Sequence, residues 1–260
     1  IFWEYNPNSE SYIIQRELLD RFLNSLGLRV HHGEPVVIEG QFVRKLKENK
    51  KKPGESEVYE LIKSWIREEE EDTYLRIAHE FSKFWQASGE FIVSKLQPLD
   101  EKLILKSNPN TCYKFFEDKI LEITAEGKSV VEYDSKTEYL VWADERIGRK
   151  WKYVDRQAQE RSIFGDFVMK AIAGDSGYVR RVIGYLCCGY KVGSGAYMVA
   201  LMEPMDISKG GGTGKNFFFD MLDYWTRVLT RNGQAMKKHV DELLQNWNGE
   251  KLVHLSDLPK

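Results

Sequence analysis

The chain has 260 residues, 42% of them hydrophobic and 13% aromatic, which is enough for a packed core and too much for a disordered segment. Its 38 Lys and Arg against 40 Asp and Glu exclude a broadly basic surface, so any nucleic-acid contact must use a local patch or the channel of an assembly. Three cysteines, two adjacent at Cys187 and Cys188, form neither a disulfide framework nor a paired metal-ligand spacing, and no apolar run approaches the roughly 18 residues of a membrane span.

From the N-terminus, Tyr12 to Leu26 places Ile13, Ile14, Leu18, Leu19, Phe22, Leu23 and Leu26 on one helical face, with Gly27 as C-cap. Leu28 to His32 and Val36 to Gly40 read as short strands about Gly33-Glu34-Pro35. His31 and His32 are adjacent, and on a strand neighbours point to opposite faces, which predicts that they do not share a metal. The lysine-rich run Lys45 to Lys52 reads as a solvated connector ending at Pro53-Gly54.

Glu57 to Arg67 and Thr73 to Ser88 are amphipathic helices, the second with Leu75, Ile77, Ala78, Phe81, Phe84 and Trp85 on its core side. From Asn110 to Trp142 the period changes to two. Cys112 to Phe116, Lys119 to Ile123, Ser129 to Tyr133 and Tyr139 to Trp142 predict a small antiparallel meander with turns at Glu126-Gly127 and Asp134-Ser135. Helical spacing returns over Ser162 to Ala173 and Tyr178 to Cys188, which puts a domain boundary near Lys150 to Tyr153. The expected division is a helical and antiparallel-strand lead-in over residues 1–150 and a second domain over residues 151–260.

The most specific stretch lies near the C-terminal end: Gly210-Gly211-Gly212-Thr213-Gly214-Lys215-Asn216. Four glycines leave backbone N–H groups clear to converge on a phosphate chain, and Lys215 adds a point charge for the terminal phosphates. Ala196 to Met202 before it reads as a buried strand, and Asn216 to Trp225 after it as a helix whose N-terminus favours the same anion. Strand, glycine loop, Lys and helix in this order predict a P-loop. The strict pattern wants Gly at Lys209 and a hydroxyl at Asn216; an Asn carbonyl oxygen there is a candidate Mg²⁺ ligand. About 40 residues on, Leu252 to Asp257 is an apolar run ending in an acid, which predicts a Walker B strand whose Asp257 holds Mg²⁺ or its water. Gly210 to Asn216 are thus the candidate nucleotide-binding residues, Lys215 and Asp257 the candidate catalytic ones, and ATP and Mg²⁺ the expected ligands.

Tyr113-Lys114-Phe115-Phe116 through Trp142, Val182-Ile183-Gly184-Tyr185-Leu186 and Gly211 to Asn216 together resemble the primase-helicases of phages, plasmids and mobile elements, a group related to poxvirus primase-helicases and superfamily 3 helicases. The likeness spans about residues 110–257; residues 1–109 match only as a helical lead-in. It implies an α+β N-terminal domain followed by the start of an α/β P-loop NTPase domain of the AAA+-like kind. It further implies a bacterial cytoplasmic setting and assembly into a ring, usually a hexamer, that moves along single-stranded DNA. On this resemblance the Walker A Lys maps to Lys215 and the Walker B acid to Asp257, while sensor residues and an arginine finger belong beyond Lys260, so the chain reads as part of a longer replication protein that is inactive as a fragment. The departures at Lys209, Asn216 and Ser256 motivate an alternative from another class, a replication-associated DNA- or protein-binding module with a P-loop that does not hydrolyse.

Overall fold

The computed structural model describes residues 2–47, 56–66, 71–155, 157–158, 162–171, 176–188, 190, 199, 215–232 and 252–256. They form a mixed α+β protein of small sheets and helices, divided into two compact units. One comprises residues 1–105 and 137–144; the other comprises 106–136 and 145–260.

The first unit opens with an antiparallel hairpin, β1 (Trp3–Asn6) and β2 (Ser11–Ile14), followed by α1 (Arg16–Ser25). The helix expected from Tyr12 therefore starts later. Tyr12 and Ile14 pair across to Tyr5 and Trp3, and sheet pairing overrides the helical spacing of the apolar residues. Leu19 and Leu23 are the buried stripe of α1, one helical turn apart, whereas Ile13 and Leu18 face solvent. Gly27 ends the helix at φ +79, in the left-handed region, and a Cβ there would meet the Ile38 carbonyl oxygen at 2.7 Å, so only glycine fits.

Next come β3 (Leu28–His31), β4 (Glu34–Glu39) and β5 (Phe42–Lys45), an antiparallel run joined by tight turns. In the first of these turns His32 and Gly33 both have positive φ, 50 and 82, the conformation of a two-residue hairpin loop. Ser56 caps α2 (Glu57–Ile66): its hydroxyl accepts the Tyr59 N–H at 3.1 Å.

The long helix α3 (Glu71–Lys95) runs beneath β2 and against α2. Its core stripe is Ile77, Phe81, Trp85 and Ile92, which joins Phe2, Leu19, Leu23, Tyr59, Ile62 and Ile66 in one cluster, with Tyr59 and Phe81 stacked at 5.5 Å. Leu75, expected on that stripe, is 57% exposed. Two residues before Ile77 is a rotation of about 200° around the helix, which carries its side chain to the far side.

In the second unit β6 (Cys112–Phe116), β7 (Lys119–Ile123) and β8 (Lys128–Glu132) form the expected antiparallel meander. Its fourth expected strand is elsewhere. β9 (Val141–Trp142) runs parallel to β5 and extends the sheet of the first unit, while β10 (Arg146–Ile147) takes the parallel place beside β6. Val141 is fully buried there, and the backbone bond from its N–H to the Gln41 carbonyl holds it at 2.9 Å.

The second unit continues with α4 (Ile163–Ala171), α5 (Ser176–Cys187), α6 (Lys215–Asp223), β11 (Val228–Asn232) and β12 (Leu252–Ser256). Val168 from α4, Val179 and Leu186 from α5, and Phe218 and Leu222 from α6 make a core cluster there. β11 and β12 pair in parallel over five residues each, Val228 against Leu252 through Asn232 against Ser256. Among the described residues no helix is long and apolar enough to cross a membrane.

Candidate nucleotide site

Of the residues predicted to bind nucleotide, Gly210, Gly211, Gly212, Thr213 and Gly214 lie outside the described residues, as does Asp257. Lys215 is the first residue of α6, and Asn216, exposed, follows it. The predicted strand before the glycine loop is described only at Val199, which packs against the cluster built on Phe218 and Leu222.

The sequence from Asn216 explains why a helix starts here. Phe218 and Leu222, four residues apart, are each 1% exposed, while Asn216, Asp220 and Asp223 face solvent. Burying a Phe or Leu side chain stabilises by about 1.5–3 kcal/mol, so this pair alone commits the helix to its core. At the other end the Asp223 carboxylate accepts the Val228 N–H at 2.7 Å, and Trp225 and Thr226 N–H groups bond back to the Leu222 carbonyl. The chain thus turns sharply out of α6 into β11.

That turn sets the direction of everything after it. α6 packs against β11, the strand it leads into, and β12 runs parallel to β11. The His254 imidazole, 5% exposed, stacks on Phe219 with centroids 4.0 Å apart and planes 16° from parallel. Phe219 is four residues into the helix from Lys215 and His254 two residues short of Ser256. Both distances are about 6 Å along their elements. Thr230 Oγ1 lies 3.4 Å from His254 Nδ1, and the Ser256 hydroxyl donates to the Arg231 carbonyl at 3.3 Å, tying β12 to β11 along their length.

Elsewhere in this unit, Lys114 donates from Nζ to the Trp225 carbonyl at 3.2 Å. Burial pushes its ammonium below the ordinary lysine range, partly opposed by Cys187, Cys112 and Cys188.

A second grouping of reactive side chains lies in the first unit and was not anticipated. The β3 strand ends at His31, and the positive φ of His32 swings its ring to the same side, where the two imidazoles meet edge to face at 4.1 Å. The expectation of opposite faces fails because only one of the pair is on the strand. Glu101, opening a single 3₁₀ turn after Asp100, brings Oε1 to 3.7 Å from His31 Nε2 and 3.3 Å from His32 Nε2. Burial first and the neighbouring His32 second hold His31 below the usual imidazole range. The adjacent histidines were the only signal in the sequence; nothing local marks Glu101.

No family model matches this chain, and a search of curated proteins also finds no match.

Proposed function

We propose that residues 210–216 and Asp257 form the ATP site of a nucleic-acid motor, and that the chain is part of an ATP-dependent DNA helicase of the primase-helicase kind acting on single-stranded DNA during replication. The observation that carries this reading is the arrangement of α6 with β11 and β12. A helix opening at Lys215 packs on the parallel strand pair β11–β12 through Phe219 and His254, and the next residue after β12 is Asp257. A lysine at a helix N-terminus and an acid at the end of a neighbouring parallel strand are the two parts that phosphoryl transfer from a nucleoside triphosphate requires.

On this reading the backbone N–H groups of Gly210 to Gly214 cradle the triphosphate and Lys215 neutralises charge on its terminal oxygens. Asn216, exposed on the first turn of α6, and Asp257 offer the hard oxygen donors that would hold Mg²⁺, which supplies charge neutralisation between the phosphates. Ring assembly, with an arginine from an adjacent subunit, belongs to the same proposal.

The test is ATP turnover by the protein carrying this chain, with and without single-stranded DNA, beside its Lys215→Ala variant. DNA-stimulated turnover abolished by the substitution is the expected result. A folded, DNA-binding protein without turnover would favour the binding module instead, for which Asn216 in place of a hydroxyl residue is the supporting observation.

A further inference from the structure

We propose that His31, His32 and Glu101 form a binding site for a divalent transition metal of zinc-like preference, closing the β3–β4 turn onto the segment that begins at Asp100. The proposal concerns the first unit and is independent of the nucleotide site.

Three observations carry it. The donor set is two imidazole nitrogens and one carboxylate oxygen, which suits Zn²⁺ and its neighbours over the oxygen-seeking Mg²⁺ and Ca²⁺. The spacing is also close to that of a formed site. Zn–N and Zn–O bonds of about 2.0–2.2 Å set tetrahedral ligand atoms about 3.3–3.6 Å apart. Here Glu101 Oε1 is 3.3 Å from His32 Nε2 and 3.7 Å from His31 Nε2, and the three ligand atoms all lie within 4.8 Å of one another. Finally, the backbone fixes the geometry. His32 holds the left-handed conformation that its place in the hairpin turn requires, and that conformation puts both rings on one side. Without it, alternation along the strand would part them.

The surroundings suit the role. His31 is anchored by edge-to-face contact with Trp142 at 4.9 Å, with a side chain only 18% exposed, whereas the His32 and Glu101 side chains are 75% and 51% exposed. Glu34 pairs with His31 across the hairpin and adds a second negative charge nearby, set against the Lys45 ammonium, which also acts on His31. Three protein ligands on an open surface leave room for water on the metal, the form of a site that exchanges its fourth ligand. Because Glu101 lies far from the histidines in sequence, a bound metal staples two distant parts of the unit and raises its melting temperature.

The experiment uses the full chain, stripped with a chelator and carrying no histidine tag, titrated with Zn²⁺ in competition with a chromophoric indicator. One equivalent of Zn²⁺ is expected to bind with a rise in Tm. Glu101→Gln and His32→Asn are the informative variants, because both positions are exposed and Asn tolerates the left-handed backbone. Each is expected to weaken binding at least about tenfold. His79→Ala, at an exposed position on α3, is expected to leave binding unchanged. Substituting Co²⁺ distinguishes nitrogen and oxygen ligands from thiolates. Absence of saturable binding, binding that survives both variants, or a cobalt–thiolate charge-transfer band pointing to the cysteines would each overturn the site.

Discussion

The imidazole of His254 lies flat on the ring of Phe219, one from the strand β12 and the other from the helix α6. Residues 35 positions apart in sequence thereby fix the distance between a helix that begins at Lys215 and a strand that ends at Ser256.

This contact sets the first stability prediction. Phe219 is partly buried, so Phe219→Ala is expected to destabilise the second unit by about 2 kcal/mol, somewhat less than a fully buried Phe would cost. Asp220→Ala, exposed on the same helix, is expected to stay within about 0.5 kcal/mol of the parent. Urea midpoints of the two variants make the comparison.

Two glycines inside helices are predicted to respond in opposite ways to the same substitution. At Gly184, on α5, an added Cβ meets nothing within 4 Å, so Gly184→Ala should stabilise by about 1 kcal/mol through helix propensity alone. At Gly89, on α3, the same Cβ would come within 2.8 Å of Trp85 Cε2, and Trp85 is fixed in the main core cluster. Overpacking of that kind costs about 1–3 kcal/mol and outweighs the propensity gain, so Gly89→Ala should lower the melting temperature where Gly184→Ala raises it.

Tyr133 predicts a pH dependence at the alkaline end. Its hydroxyl donates to the Phe116 carbonyl at 2.6 Å, and burial pushes the phenol up to about 12 from an ordinary value of 10.0, against an opposing pull from Arg146. The folded state therefore holds this proton more tightly than the unfolded chain does. The stabilisation is complete below about pH 10 and falls away as the pH rises towards 12. Denaturation midpoints measured between pH 8 and pH 12 should fall less steeply for Tyr133→Phe than for the parent, since the variant has no phenol to titrate. At neutral pH the variant should be weaker by about 1 kcal/mol for the lost hydrogen bond.

The long elements were legible in the sequence because their signal is periodic and local. Ile77, Phe81 and Trp85 repeat every four residues, the runs from Cys112 to Glu132 are rich in aromatic and β-branched residues between turns, and Phe218 with Leu222 marks a helix one turn at a time. The parallel joins were not legible. β9 and β10 are two residues each, too short to carry any period, and their partners are chosen by distant packing. β11 ends in Thr230, Arg231 and Asn232, which reads as a polar connector until His254 and Leu252 are set beside it. The facing of the histidine pair differs from expectation for a related reason: period-two alternation stops where the strand stops, and it stops between His31 and His32. For the nucleotide site, the sequence pattern and the packing of α6 on β11 and β12 point the same way, while the loop itself and Asp257 lie outside the described residues.

The placement of β9 beside β5 has a consequence for the order of events during synthesis. The first unit cannot complete its sheet until Trp142 has left the ribosome, by which time the whole antiparallel meander of the second unit has already emerged. Until then β5 presents Phe42 and Val43 on an open edge, the kind of exposed strand that invites pairing with another chain. The two units are thus interleaved along the nascent chain, and between translation of Lys45 and of Trp142 the edge of β5 has no partner strand from its own unit.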